Sequence, residues 1–228
     1  MRRGKDTQRT IVPLGDRAVL IYLPDEGAAV RFANAVRSAG FSWLQDVVPA
    51  YASVGVFFDD VTVRHSEVVE FLRSLNLPRA TNTSAGKLHV IPCCYDMQLD
   101  LERVAEHTKL TSEQVIALHL SREYTIHAIG FAPGFPYLGY LSPEICGVPR
   151  LPSPRLRVEP GSVGLTGKQT GIYPLARPGG WNLIGRTPLV LVDVEEGYFP
   201  LAVGDRLMFE RIGEGEFRQR EGERIRVD

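Results

Sequence analysis

Cysteine is scarce in this chain, with three among 228 residues at positions 93, 94 and 146. An odd number, two of them adjacent, suits neither a disulfide framework nor a CxxC zinc or redox site, so reduced structural thiols are expected. Long apolar runs are missing too. None approaches the roughly 20 residues that a membrane-spanning helix needs, and Met1-Arg-Arg leads into Gly4, Lys5, Asp6 and Thr7 rather than the apolar centre of a signal peptide. No membrane attachment is expected, and the expected location is the cytoplasm. There is no charge excess of either sign: 26 Lys and Arg stand against 27 Asp and Glu. That balance argues against a nucleic-acid binder, which carries a basic stripe. The five histidines, at 65, 89, 107, 119 and 127, show no HxH, HExxH or Cys/His spacing, so no metal site is expected.

Glycine and proline are concentrated in one place. The 57 residues from Gly130 to Arg186 hold 11 of the 22 glycines and 9 of the 16 prolines. Glycine opens positive φ and close backbone approach, and proline fixes φ, so together they dictate one chain path. Phe131, Phe135, Tyr137, Tyr140, Tyr173 and Trp181 are interleaved with them. A disordered linker would lack these aromatics. Ordered, rigid surface loops are the expectation, and long ordered loops are usually functional. Arg150, Arg155, Arg157, Lys168, Arg177 and Arg186 outnumber Glu144 and Glu159 in a chain whose net charge is −1. A basic, aromatic, glycine-lined surface on an acidic body fits a small anionic ligand or an acidic partner surface.

The expected fold class is α+β. From Thr10 the pattern reads βαββα: a strand at Ala18 to Leu23, a helix carrying Ala29, Phe32, Ala33 and Val36 with Gly40 as its cap, strands at Leu44 to Val48 and Ser53 to Phe58 broken by Pro49, and a helix from Ser66 that stops before Pro78. Were Leu88 to Cys93 its last strand, this would be a split βαβ plan. The polar residues before position 88 read instead as a linker, giving domains at 1–80 and 88–228 with 81–87 between them. The second part should open with a strand at Lys87 to Cys94 and helices at Leu99 to Thr108 and Ser112 to Leu120, the latter with a Thr111/Gln114 capping box. That helical pair is not a DNA reader, because no Lys or Arg lies between Thr111 and Leu120. Short strands follow at Thr125 to Phe131, Ser162 to Thr166, Trp181 to Gly185, Leu189 to Val194 and Arg206 to Glu210, the signature of a barrel or sandwich.

Two tempting motifs fail on detail. In Gly161 to Gln169, five residues separate Gly161 from Gly167, and Gln169 stands where a phosphate loop needs Ser or Thr. Ser162 lies in GSVG, not GxSxG, so it is no nucleophile elbow. His119, near a helix end, is either a proton acceptor reaching the loops or a histidine packing that helix on the barrel. Gln169, Thr170 and Tyr173, around Gly171, either recognise amide and carboxylate oxygens or satisfy loop backbone groups. Trp181 is either a stacking platform or a core plug.

The segments Gly130 to Gly139, Pro152 to Pro174 and Arg177 to Pro188 closely resemble the KipI family, also described as allophanate hydrolase subunit 1, the B component of 5-oxoprolinase, or a carboxyltransferase subdomain C/D type. Leu14-Gly15-Asp16, Val48 to Tyr51, Asp100-Leu101, His119 with Tyr124, and Gly204-Asp205-Arg206 extend the likeness across nearly the whole chain. The segment Tyr95 to Leu101 is shorter than is usual in that family. The resemblance implies a small α/β N-terminal domain followed by a cyclophilin-like β-barrel. It also implies a heteromer with a related barrel protein, the C component of 5-oxoprolinase, and with the A component. Together these would open 5-oxo-L-proline to L-glutamate with ATP as co-substrate. Other relatives are fused in urea carboxylase, and one inhibits a sensor histidine kinase. By position, the resemblance implies that Gly134, Phe135 and Tyr137 shape a pocket, that Arg150 and Arg155 meet anions, and that Gln169, Thr170, Gly171 and Tyr173 line it. His119, Arg155 and Gln169 are the catalytic candidates, with Trp181 and Arg186 completing the substrate-binding set. The competing function is the kinase inhibitor, which would use the same barrel. A prolyl isomerase would rest on fold analogy alone.

Overall fold

A computed structural model describes residues 9–76 and 86–225. The chain divides into two compact units, Met1–Ser84 and Ala85–Asp228. The chain start, Pro78 and most of the expected linker (81–85) lie outside the described residues.

In the first unit, β1 (Thr10–Pro13), β2 (Ala18–Tyr22), β3 (Leu44–Ala50) and β4 (Ser53–Phe58) form an antiparallel sheet in the order β1-β2-β4-β3. Strand β1 is absent from the βαββα expectation, because four residues ending in Pro13 carry too little pattern to be read alone. Pro49 does not break β3 but lies within it, opposite Val54. Its missing N–H is tolerated because β3 is an edge strand. Helix α1 (Glu26–Ser38) starts where the Asp25 carboxylate accepts the Ala28 N–H at 2.7 Å. It ends before Gly40, whose φ of 65° needs a residue without Cβ. Phe32, Ala33 and Val36 turn inward onto Val54, Val56 and Phe58, with α2 (His65–Ser74) adding Val68 and Leu72.

Seven strands of the second unit are β5 (Leu88–Cys94), β6 (Glu123–Ile129), β7 (Pro136–Gly139), β9 (Ser162–Thr166), β10 (Gln169–Ile172), β12 (Asn182–Arg186) and β13 (Arg206–Ile212). They close into a barrel in the order β10-β7-β6-β13-β5-β12-β9. Only β5 and β13 run parallel, paired from Leu88↔Arg206 to Cys94↔Ile212. Leu88 to Cys93 therefore closes the barrel instead of completing a split βαβ unit. Helices α3 (Leu101–Thr108) and α4 (Ser112–Leu120) follow β5, and α4 carries the Thr111/Gln114 capping box. The segment at Leu189 to Val194 is not a strand. It makes only isolated bridges, Val190 to Arg224 and Asp193 to Tyr198, while Leu189, Leu191 and Val192 are buried without alternation. An unexpected last helix, α5 (Glu214–Arg220), buries Phe217.

The largest correction concerns the glycine- and proline-rich stretch. Beside the expected strand β9, it supplies the largely buried barrel-wall strands β7 and β10 where surface loop was expected. Gly167, at φ 56°, and Lys168 form the two-residue turn between β9 and β10. What resembles a phosphate loop is a hairpin tip. Outside the barrel, β8 (Arg155–Val158) and β11 (Arg177–Gly179) form a separate two-stranded ribbon. Among the described residues no helix is long and apolar enough to cross a membrane.

Candidate functional site

The chain leaving β6 turns back on itself between Gly130 and Phe135, where the Ala132 N–H donates to the Gly130 carbonyl and the Phe135 N–H to the Ala132 carbonyl. Gly134, at φ 73°, allows this turn, and a Cβ there would strike Val192. Phe131 adopts φ 69°, a conformation uncommon outside glycine, and remains 60% exposed. From this loop, Phe131 and Phe135 meet Tyr137 of β7, Tyr173 after β10 and Trp181 before β12. The rings of Phe135 and Tyr137 lie 4.9 Å apart, those of Phe135 and Tyr173 5.2 Å, and those of Phe135 and Trp181 5.4 Å, all edge to face.

These side chains enclose a cavity of about 100 Å³, completed by Arg150, Gly179 and Gly180. That is well below the roughly 300–1,000 Å³ of pockets for drug-sized ligands, so it fits a small ring or acid. Two glycines keep it open. A Cβ on Gly179 would come within 2.7 Å of a Tyr173 ring carbon, and one on Gly171 within 3.0 Å of both Phe135 and Trp181. Burial pushes the phenols of Tyr137 and Tyr173 up in pKa, and the charge of Arg150 opposes this without reversing it. Both phenols are therefore neutral donors at physiological pH. Arg150 is exposed, and no described carboxylate pairs with it. The cavity thus joins aromatic walls, phenolic donors and a cation with no lining carboxylate.

The structure gathers Phe135, Tyr137, Arg150, Tyr173 and Trp181 at one site, with Gly171 behind the rings. Gly134 shapes the loop without lining the cavity. The other expected site residues lie elsewhere. Arg155 Nη2 pairs with Asp100 Oδ1 at 2.7 Å, while Asp100 Oδ2 accepts the Leu183 N–H at 2.7 Å. Arg186 donates Nε to the Pro160 carbonyl and lies over the Phe217 ring, in a separate groove of about 350 Å³. Gln169 opens β10 opposite Gly139 and Thr166. Phe131, Gly179 and Gly180 are lining residues absent from the expected set. Their signal was the alternation of glycine with aromatic residues on both sides of Phe135 and before Trp181.

His119 is fully buried on α4, away from the cavity lining. Its Nδ1 lies 2.7 Å from the Tyr95 hydroxyl and its Nε2 3.0 Å from Thr170 Oγ1. Thr170 donates its proton to the Gly164 carbonyl at 3.0 Å, so it accepts from His119. The ring is then the neutral Nε2–H form, with Nδ1 receiving the Tyr95 proton. Burial lowers its pKa to about 3, consistent with a neutral ring. Among the described residues no three His, Cys, Asp or Glu side chains gather into a metal site.

Residues 9–200 match the family described as carboxyltransferase domain, subdomain C and D. The chain belongs to this family. It is 36% identical to the B component of 5-oxoprolinase from Bacillus subtilis (strain 168), over 91% of this chain and 94% of that protein. Among solved structures it is similar to TTHA0988, with a TM-score of 0.75 and 35% identity over 86% of this chain, and it spans 40% of that longer chain. The urea amidolyase of K. lactis shares the fold, with a TM-score of 0.77 over 96% of this chain at 16% identity. The proteins to which this chain is similar thus include both a separate chain of comparable length and longer chains of which it matches a part.

Proposed function

We propose that this chain is the B component of an ATP-dependent 5-oxoprolinase. The observation that carries this reading is the 36% identity to a protein of that name over 94% of its length. The cavity is compatible with it. 5-Oxo-L-proline is a flat five-membered lactam bearing one carboxylate, and the aromatic walls fit its ring while Arg150 and the phenols suit its anionic end.

The enzymatic role proposed is that of a non-autonomous subunit. Lactam opening to L-glutamate needs a nucleophile or base and the free energy of ATP hydrolysis, and the cavity lining offers neither a carboxylate nor a histidine. This chain binds and orients, the A and C components complete the site, and ATP acts as co-substrate of the complex. His119, Arg155, Gln169, Thr170 and Arg186 then support the fold around the cavity and do not touch substrate. The proposed location is the cytoplasm.

The test is co-expression with the A and C components, followed by an assay of glutamate and ADP released from 5-oxoproline. The expected result is a co-purifying complex that turns over only with ATP. Absence of a complex, or capture of a sensor histidine kinase in place of the A and C components, would reject the reading.

A further inference from the structure

The ribbon of β8 and β11 is the least self-sufficient part of the second unit. A two-stranded sheet is marginal in water unless one face is packed, and this ribbon is packed only in part. Val158 and Gly179 are buried, and Val158 joins Phe135, Tyr173, Trp181 and Leu183 in an apolar cluster. Strand alternation puts Leu156 on the same face as Val158. Yet Leu156 is 92% exposed. The ribbon therefore carries an apolar face that the chain covers at Val158 and leaves open one step away.

Its surroundings define what would cover it. Leu99 is 67% exposed and precedes Asp100, whose ion pair with Arg155 brings it to the start of the ribbon. Arg177, on β11, makes a hydrogen bond only to the Ala176 carbonyl and meets no carboxylate among the described residues. Arg157, next to Leu156 in sequence, lies on the opposite face by the same alternation and is paired with Glu159. An exposed leucine with an arginine on the same face of the ribbon, Arg177 opposite Val158, matches an apolar notch rimmed with carboxylates. Position matters as well. Gly179 pairs with Arg155 in the ribbon and also lines the aromatic cavity, so whatever covers the ribbon lies beside that cavity.

We propose that the β8–β11 ribbon is a docking arm, with Leu156 as its apolar anchor and Arg177 as its charge contact, for an acid-rimmed apolar notch on the C component. This rests on the function proposed above. The similarity to TTHA0988, whose chain is more than twice as long, agrees with a further module beside this one.

The test measures binding of the purified C component to wild type, Leu156→Asp and Arg177→Glu by sedimentation and titration at low and moderate salt. Leu156→Asp is expected to raise Kd at least tenfold. Arg177→Glu is expected to weaken binding and flatten its salt dependence. Both chains should melt with the wild type, since both side chains are exposed. Binding of both variants equal to wild type, or self-association of the chain through the ribbon, would overturn the proposal while leaving the enzyme assignment standing. A wild-type chain that binds neither the C component nor the A component would reject the enzyme assignment and this proposal with it.

Discussion

Arg155 and Asp100, 55 positions apart, are joined by a 2.7 Å ion pair that links the β8–β11 ribbon to the start of α3. Asp100 is buried and also accepts the Leu183 N–H of β12, so one carboxylate fastens three elements. Its charge is compensated by Arg155 alone among the described arginines and lysines. The strand partner of Arg155, Gly179, lines the aromatic cavity.

Breaking that pair should therefore cost stability. Arg155→Met leaves a buried carboxylate, and because the arginine is itself partly exposed the expected loss is about 1–3 kcal/mol, below that of a fully buried pair. Asp100→Asn should cost a similar amount, and the double variant less than the sum. Denaturant titration of the four proteins measures this coupling. Additive losses would show that the pair contributes nothing of its own.

His119 makes the fold sensitive to acid. Its pKa is lowered by burial to about 3 in the folded chain, against an ordinary value of 6.5. The unfolded chain thus binds a proton between those values that the folded chain refuses. Stability from this group is complete above pH 6.5 and declines as pH falls toward 3. His119→Gln, which keeps polar atoms near Tyr95 and Thr170, should be less stable at about pH 7 yet lose less between about pH 6.5 and 4.5. Unfolding midpoints at these pH values, compared with wild type, read the difference. Parallel losses in both proteins would refute a buried neutral ring.

Gly179→Ala tests the cavity without touching a charge. The added methyl would meet the Tyr173 hydroxyl and come within 2.7–2.8 Å of its ring carbons, so this lining side chain has to shift. Activity of the reconstituted complex should fall at least tenfold. A fully active variant would place the reacting substrate elsewhere.

Sequence made the regular elements legible where local pattern was strong. Ala18–Tyr22 and Ser53–Phe58 are apolar strands, α1 has helical spacing with a terminal glycine, and α4 has a capping box. It hid the strands whose identity depends on distant partners. Gln169–Ile172 and Pro136–Gly139 read as loop because they are short and contain Gly or Pro, and pairing with each other makes them strands. For α5, the spaced pairs Glu214–Arg218 and Glu216–Arg220 were a usable helix signal. The cavity was half legible. Its aromatics and Arg150 stood out by composition, but nothing local distinguished Arg150 from Arg155, because Asp100 lies 55 residues away. The setting of His119 was hidden for the same reason, since Thr170 is 51 residues distant.

The most direct measurement is steady-state turnover of 5-oxoproline, with ATP, by the complex of this chain with the A and C components, comparing wild type with Arg150→Ala and Tyr173→Phe. The wild-type complex should release glutamate and ADP, and the chain alone should release neither. Arg150 is exposed, so its removal should leave assembly and melting unchanged while raising KM for 5-oxoproline about tenfold or more, the scale of one charge-assisted hydrogen bond. Tyr173→Phe should act in the same direction. Wild-type KM in both variants, or turnover by the chain on its own, would contradict a substrate-binding cavity in a protein that cannot work alone.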